Sequence, residues 1–175
     1  YKNINKAIEH VTAGKRYNGV NTADCFDSQI DRILTTPSHY AYLKIADGCD
    51  NHCTYCLIPQ IRGSYRSRSI ESIVSEAENL AGGGVKEILL VAQDVTRYGI
   101  DLYKSYKLEE LIKELSKIKA LSENSIRLLY CYPELISDEL IDEIAHNPKV
   151  IKYIDMSLQH ISDNVLKRMG RKTTS

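Results

Sequence analysis

Tyr40-Ala-Tyr-Leu-Lys-Ile-Ala46 runs through Asp47 and Gly48 into Cys49-Asp-Asn-His-Cys53-Thr-Tyr-Cys56. The first segment, with two tyrosines, a leucine and an isoleucine, reads as a strand. The second places three thiols within eight residues, spaced CxxxCxxC. The junction therefore sets soft ligands on a loop at the C-terminal end of a strand. Three thiolates this close can coordinate one iron–sulfur cluster and leave one iron without a protein ligand. Structural zinc needs a fourth ligand and usually draws a second pair from far along the chain. His52 lies inside the loop, but no second pair is evident. A disulfide fits poorly, because the cysteine count of five is odd and no secretion signal precedes it. Thiolates suit iron–sulfur chemistry, and a short donor set leaves a coordination position at which a cofactor or substrate can bind. Cluster binding is the preferred reading, with a non-catalytic zinc or cluster module as the distant alternative.

Downstream, strand and helix patterns alternate. Ser69 can cap a helix over 70–81 with the stripe Ile70, Ile73, Val74, Ala77, Leu80 and Ala81. Gly82-Gly83-Gly84 follows that helix and precedes a strand, so it is a helix stop and not a phosphate loop. Glu87-Ile-Leu-Leu-Val-Ala92 is a continuous apolar run, expected of a parallel strand covered on both faces. A second helix spans about 107–120, a third strand 126–130, and Ser137 can cap a third helix. A fourth strand spans about 152–158, and Ser162 can cap a last helix ended by Gly170. Four such units in series predict an α/β fold with a parallel sheet, about four parallel βα units of a partial TIM-like barrel. In such folds the chemistry lies beyond the C-terminal strand ends. Those ends carry the cysteine loop, Gln93-Asp94, Tyr130-Cys131-Tyr132 and Ser157-Leu158-Gln159-His160, so polar and sulfur residues gather at one rim.

Upstream, Ile4, Ala7, Ile8 and Val11 fall at helical spacing before Gly14, and residues 15–39 show no sustained period. Cys25 stands alone there and reads as an unliganded thiol. Composition is that of a soluble globular protein, with 43% hydrophobic and 26% charged residues. No apolar run approaches membrane-spanning length, and a cytoplasmic location is expected. The 23 basic and 23 acidic residues cancel, which argues against a nucleic-acid partner for this piece. Arg62, Arg66 and Arg68 are candidates for a carboxylate contact or for plain surface and structural pairing. Asp138, Glu139, Asp142 and Glu143 suit the first turns of a helix, and Cys131 reads as a buried structural thiol. The chain starts without Met and ends Arg-Lys-Thr-Thr-Ser, as expected of a piece of a longer protein.

The cysteine loop resembles the radical S-adenosylmethionine (SAM) family, whose signature is CxxxCxxC after the first strand of a partial TIM-like barrel. Tyr40 to Cys49, Ile58-Pro-Gln-Ile-Arg-Gly63, Val91-Ala-Gln-Asp94 and Leu158-Gln-His160 look like its methylthiotransferase branch. Ala92-Gln93-Asp94 and Gln159-His160-Ile161 sit closer to the branch that modifies protein than to the tRNA-modifying sister enzymes. The resemblance implies that Cys49, Cys53 and Cys56 hold a [4Fe–4S] cluster whose open iron binds SAM. Gln93 and Asp94 would contact the SAM amino group, Ser157 and Gln159 the ribose, and Tyr55 would lie beside the adenine. It implies transfer of a methylthio group, through a 5′-deoxyadenosyl radical, to an aspartate of a small-subunit ribosomal protein. An electron donor such as a flavodoxin or ferredoxin would be needed. The tRNA methylthiotransferases, with the same cofactors, are the alternative. By the same resemblance, residues 1–39 are the tail of an N-terminal methylthiotransferase domain plus a linker. Residues 40–175 are then the N-terminal part of a truncated radical SAM core. A second [4Fe–4S] cluster belongs to the absent N-terminal domain. The edge left after the fourth strand predicts a poorly soluble or partly unfolded fragment.

Overall fold

A computed structural model describes residues 3–19 and 32–175, so Cys25 lies outside the described residues. Helix α1 is Ile4–Thr12, and Gly14 follows it at φ 70°. Its apolar residues Ile4, Ile8 and Val11 are all exposed.

Four strands make the main sheet: β1 (Tyr40–Lys44), then β4 (Glu87–Val91), β5 (Ile126–Cys131) and β6 (Val150–Met156). They are parallel and lie in the order β1-β4-β5-β6, so each strand adds beside its predecessor without a reversal. That sequential order is the winding of a barrel sector, as expected. Between β1 and β4 run β2 (Ala46–Asp47), α2 (Ile58–Arg62), β3 (Arg66–Ser67) and α3 (Ile70–Gly82). The later crossovers carry α4 (Ile100–Tyr103) and α5 (Leu108–Ser116), then α6 (Asp138–His146). After β6 comes α7 (Asp163–Arg168).

The core forms on one face of the sheet. Ala41 and Leu43 of β1, Ile88 and Leu90 of β4, Ile126 and Leu128 of β5, and Val150 of β6 are buried. They join the inner stripes of α3 (Ile73, Ala77, Leu80), α5 (Leu108, Leu111, Ile112, Leu115) and α6 (Leu140, Ile144) in one cluster. The opposite face is more open: Tyr42 is exposed, and Leu89 and Val91 are only partly buried. The apolar run of β4 is therefore not covered equally on its two sides, because α3, α5 and α6 pack on one. On that open face Arg127 pairs with Glu87 across the strands at 2.5 Å and lies over the Tyr153 ring.

Local capping signals place two of the helix starts. Ser69 accepts from the Ser72 N–H at 3.3 Å, and Ser137 from the Leu140 N–H at 3.1 Å. The Ser137→Ala variant is expected to lose about 1 kcal/mol of stability, read from the denaturant midpoint. At α7 the Ser162 hydroxyl makes no capping bond, and only its backbone carbonyl receives Val165 and Leu166. The fourth strand begins two residues earlier than the pattern suggests, because Val150 pairs opposite Ile126 and is fully buried.

The free edge of β1 is closed by side chains. The Tyr40, Tyr42 and Lys44 carbonyls accept from Thr36 Oγ1 (2.8 Å), Arg32 Nη1 (2.8 Å) and Arg68 Nη1 (2.9 Å). Glu76 of α3 holds both arginines, at 2.8 Å and 2.6 Å. Arg68 is thus a buried structural clamp, its guanidinium spent on Glu76 and the β1 edge.

Candidate metal centre

The strand expected over 40–46 splits. Ile45 still donates to Val91, but Ala46–Asp47 leaves the main sheet and pairs antiparallel with Arg66–Ser67. This short ribbon pins the base of a lobe, residues 48–65, that carries all three cysteines. Inside the base the Cys49 N–H donates to the Gly63 carbonyl at 3.2 Å. Gly48 sits at φ 79°, and a Cβ there would lie 2.1 Å from the Ser64 carbonyl oxygen. The lobe closes only because that position has no side chain.

The thiols of Cys49, Cys53 and Cys56 are all free. Cys49 and Cys53 are buried, at 6% and 7% exposure, and Cys56 is half-buried. Burial raises the Cys49 thiol above its ordinary range, opposed by a backbone hydrogen bond from Asn51. The Ile58 N–H donates to Cys56 Sγ at 3.4 Å, and the Tyr132 hydroxyl lies 3.6 Å from Cys53 Sγ. Among the described residues no group of three or more His, Cys, Asp and Glu side chains converges on a point that one metal ion could fill. A [4Fe–4S] cluster binds each cysteine to a different iron, so its sulfurs stand at separate corners. Three free thiols on one lobe, two of them shielded from water and two with donors beside the sulfur, fit that group.

Other strand ends hold the lobe in place. Asp94, fully buried at the end of β4, accepts from Asn51 Nδ2 at 3.0 Å and from Thr96 Oγ1 at 2.5 Å, and Arg97 Nε lies 3.6 Å away. Arg97 Nη2 also donates to Asn51 Oδ1 at 2.6 Å. The Tyr65 hydroxyl donates to the Asp94 carbonyl at 2.8 Å, and the Tyr65 N–H to Asp50 Oδ1 at 3.2 Å. The far side of the lobe is tied to the end of α7, where Thr54 donates to the Met169 carbonyl at 3.0 Å through its N–H. Its hydroxyl reaches the Arg168 carbonyl at 3.2 Å.

The residues singled out for SAM fall into three situations. Gln93 is partly buried, and its Oε1 is buried without a hydrogen-bond partner. Asp94 is adjacent but turned into protein, its two oxygens taken by Asn51 and Thr96. Tyr55 and Gln159 are exposed and Ser157 is half-buried, with Gln159 at φ 68°. Ser157 joins the rim through its backbone: its N–H donates to Cys131 and its carbonyl accepts from Arg171. Cys131 is fully buried and its thiol is pushed up to about 12 by that burial, as a structural thiol should be. Arg66 donates to the carbonyls of Ser64 and Arg62, bracing the lobe base. Asn51, Tyr65, Thr96, Arg97, Tyr132 and Arg171 were not foreseen. Asn51 lies within the cysteine motif and Tyr132 at a strand end already marked, so position alone pointed to those two.

These features, a parallel barrel sector with a three-cysteine lobe after its first strand, accord with the family comparison. The chain belongs to the radical SAM superfamily, whose model matches residues 43–175. With that membership go a [4Fe–4S] cluster and SAM as cofactors. Among curated proteins it is 54% identical to the ribosomal protein uS12 methylthiotransferase RimO of Caldanaerobacter subterraneus, over 99% of this chain and 40% of that protein. It is 64% identical to the RimO of Clostridium kluyveri, over 81% of this chain and 31% of that one. The chain thus spans well under half the length of these relatives. A solved structure of the radical SAM methyltransferase TsrM from Kitasatospora setae superposes with TM-score 0.61 at 19% identity. It covers 78% of this chain and 26% of TsrM, and shows the shared fold. Among the described residues no helix is long and apolar enough to cross a membrane.

Proposed function

We propose that the protein containing this chain is a radical SAM methylthiotransferase acting on ribosomal protein uS12, with an aspartate side chain as acceptor. The observation that carries the reading is the lobe of three free thiols, Cys49, Cys53 and Cys56, buttressed at the strand ends. It lies in a chain 54% identical along 99% of its length to a uS12 methylthiotransferase. When bound, the cluster and SAM together supply a carbon-centred radical that can take hydrogen from an unactivated carbon.

The chain's own residues position and shield. Cys49, Cys53 and Cys56 would ligate three irons, and the burial of the first two keeps water from their sulfurs. Gln93 would take the SAM amino group, since a buried acceptor without a donor costs about 1–3 kcal/mol until one arrives. Ser157 and Gln159 would meet the ribose and Tyr55 the adenine, all three standing at the same rim as the lobe. Asp94, with its oxygens engaged by Asn51 and Thr96, would hold the lobe, and its remaining lone pairs would stand beside Gln93 for the SAM amino group.

The test is anaerobic reconstitution with iron and sulfide, followed by SAM, reductant and substrate. The full-length protein should turn brown, cleave SAM and add a methylthio mass to uS12 and none to tRNA. Replacing Cys49, Cys53 and Cys56 together by alanine should abolish SAM cleavage. A colourless protein with stoichiometric zinc, or a mass added to tRNA alone, overturns the reading.

A further inference from the structure

Cys53, the middle thiol, has surroundings that the other two lack. Tyr132, at the end of β5, brings its hydroxyl to 3.6 Å from Cys53 Sγ. Over the Tyr132 ring sits the guanidinium of Arg171, 3.9 Å from the centroid. The Arg171 side chain is 1% exposed, an unusual place for a cation. It donates to the Ser157 carbonyl at 2.8 Å, and Glu134 lies 3.8 Å away. Its Nε and Nη1 are buried without a hydrogen-bond partner. It stands over the ring whose hydroxyl reaches Cys53. One long contact to Glu134 and one carbonyl do not offset the burial of a full positive charge. The imbalance calls for negative charge at Cys53, which a ligating thiolate and its cluster provide.

We infer that Tyr132 and Arg171 are positioning residues that act through the Cys53 sulfur to raise the reduction potential of the cluster. The inference rests on the function proposed above. A donor on a cluster sulfur stabilises the reduced, more negative state more than the oxidised one. The Tyr132 hydroxyl is placed to be that donor. The Arg171 cation over its ring polarises the O–H and adds a buried positive charge of its own. The pair thus makes the cluster easier to reduce by a protein electron donor.

The test uses the full-length protein, reconstituted anaerobically, and follows the EPR signal that changes on adding SAM, which singles out the cluster with the open iron. Iron per chain and midpoint potential are measured for the unaltered protein, Tyr132→Phe, Arg171→Met and Arg171→Lys. Tyr132→Phe removes one oxygen and should retain iron. Its reduction equilibrium should shift about tenfold toward the oxidised state, equivalent to 59 mV for one electron. Arg171→Met should shift it further, and Arg171→Lys should recover part of the difference. A purely structural pair would change iron content or thermal stability and leave the midpoint of the loaded protein where it was. An unaltered midpoint in iron-replete Tyr132→Phe overturns the inference. If Arg171→Met takes up no iron, Tyr132→Phe and Arg171→Lys still decide it. No iron uptake by the unaltered protein overturns the proposed function itself, an outcome distinct from the first.

Discussion

Gly48→Ala is expected to abolish iron loading and to lower stability by at least about 4 kcal/mol, near the upper end for single substitutions. Two costs add. The backbone at φ 79° disfavours any residue with a Cβ, at about 1 kcal/mol. The second cost is larger: the new methyl would lie 2.1 Å from the Ser64 oxygen, 2.6 Å from the Gly63 oxygen and 2.7 Å from the Ser64 carbonyl carbon. All three atoms are backbone, so no side chain can swing aside. Relief requires the β2–β3 ribbon to open, and that ribbon fixes the spacing of Cys49 from the rest of the lobe. Gly84→Ala separates the two costs. Gly84 has φ 97° but nothing within 4 Å of its would-be Cβ, so it carries the backbone cost alone. Iron per chain and thermal midpoints of the two variants give the comparison. If Gly48→Ala loads iron and melts like Gly84→Ala, the lobe does not close as described.

Asp94→Ala is expected to cost about 3–5 kcal/mol, the range for removing one partner of a buried charged network. The carboxylate is fully buried and serves Asn51, Thr96 and Arg97 together. Its loss leaves an amide, a hydroxyl and a guanidinium facing a cavity. The thermal midpoint should fall by roughly 6–20 °C for a domain of this size. Asp94→Asn keeps the volume but sets amide against amide at Asn51 and drops the charge facing Arg97, so an intermediate loss is expected. SAM affinity is the discriminating measurement. If Asp94 braces the lobe, Asp94→Asn that still loads iron should bind SAM nearly normally. If its carboxylate instead takes the SAM amino group, affinity falls in step with the lost charge, even at full iron loading.

The legible parts of this molecule are those whose physics is local. Ligand spacing within one loop, caps such as Ser69 and Ser137, and the apolar runs of β4 and β5 each depend on residues a few positions apart. What could not be read depends on distant partners. The run from Tyr40 to Ala46 has an unbroken strand pattern. Its break after Ile45 is imposed by Arg66 and Ser67, about twenty residues on. Arg62, Arg66 and Arg68 look alike in sequence, yet only Arg68 is buried, because Glu76 and the Lys44 carbonyl meet it across the sheet edge. Asp94 lies at the rim as its strand-end position implied, but its inward direction depends on Asn51, which comes from the cysteine loop far earlier in the chain. Arg171 carried no signal at all: one arginine after a helix-ending glycine is ordinary until its partners are known.

The three capped carbonyls along β1 have a consequence for how copies of this chain meet. A β-sheet can extend at either border, and stacking without limit needs two receptive borders on every copy. Here Thr36, Arg32 and Arg68 occupy the outward acceptors of one border, while β6 at the other has no strand beyond it among the described residues. With those acceptors engaged, this border offers an approaching strand no open carbonyl at Tyr40, Tyr42 or Lys44, and losing the Arg32 and Arg68 caps would reopen it to strand addition.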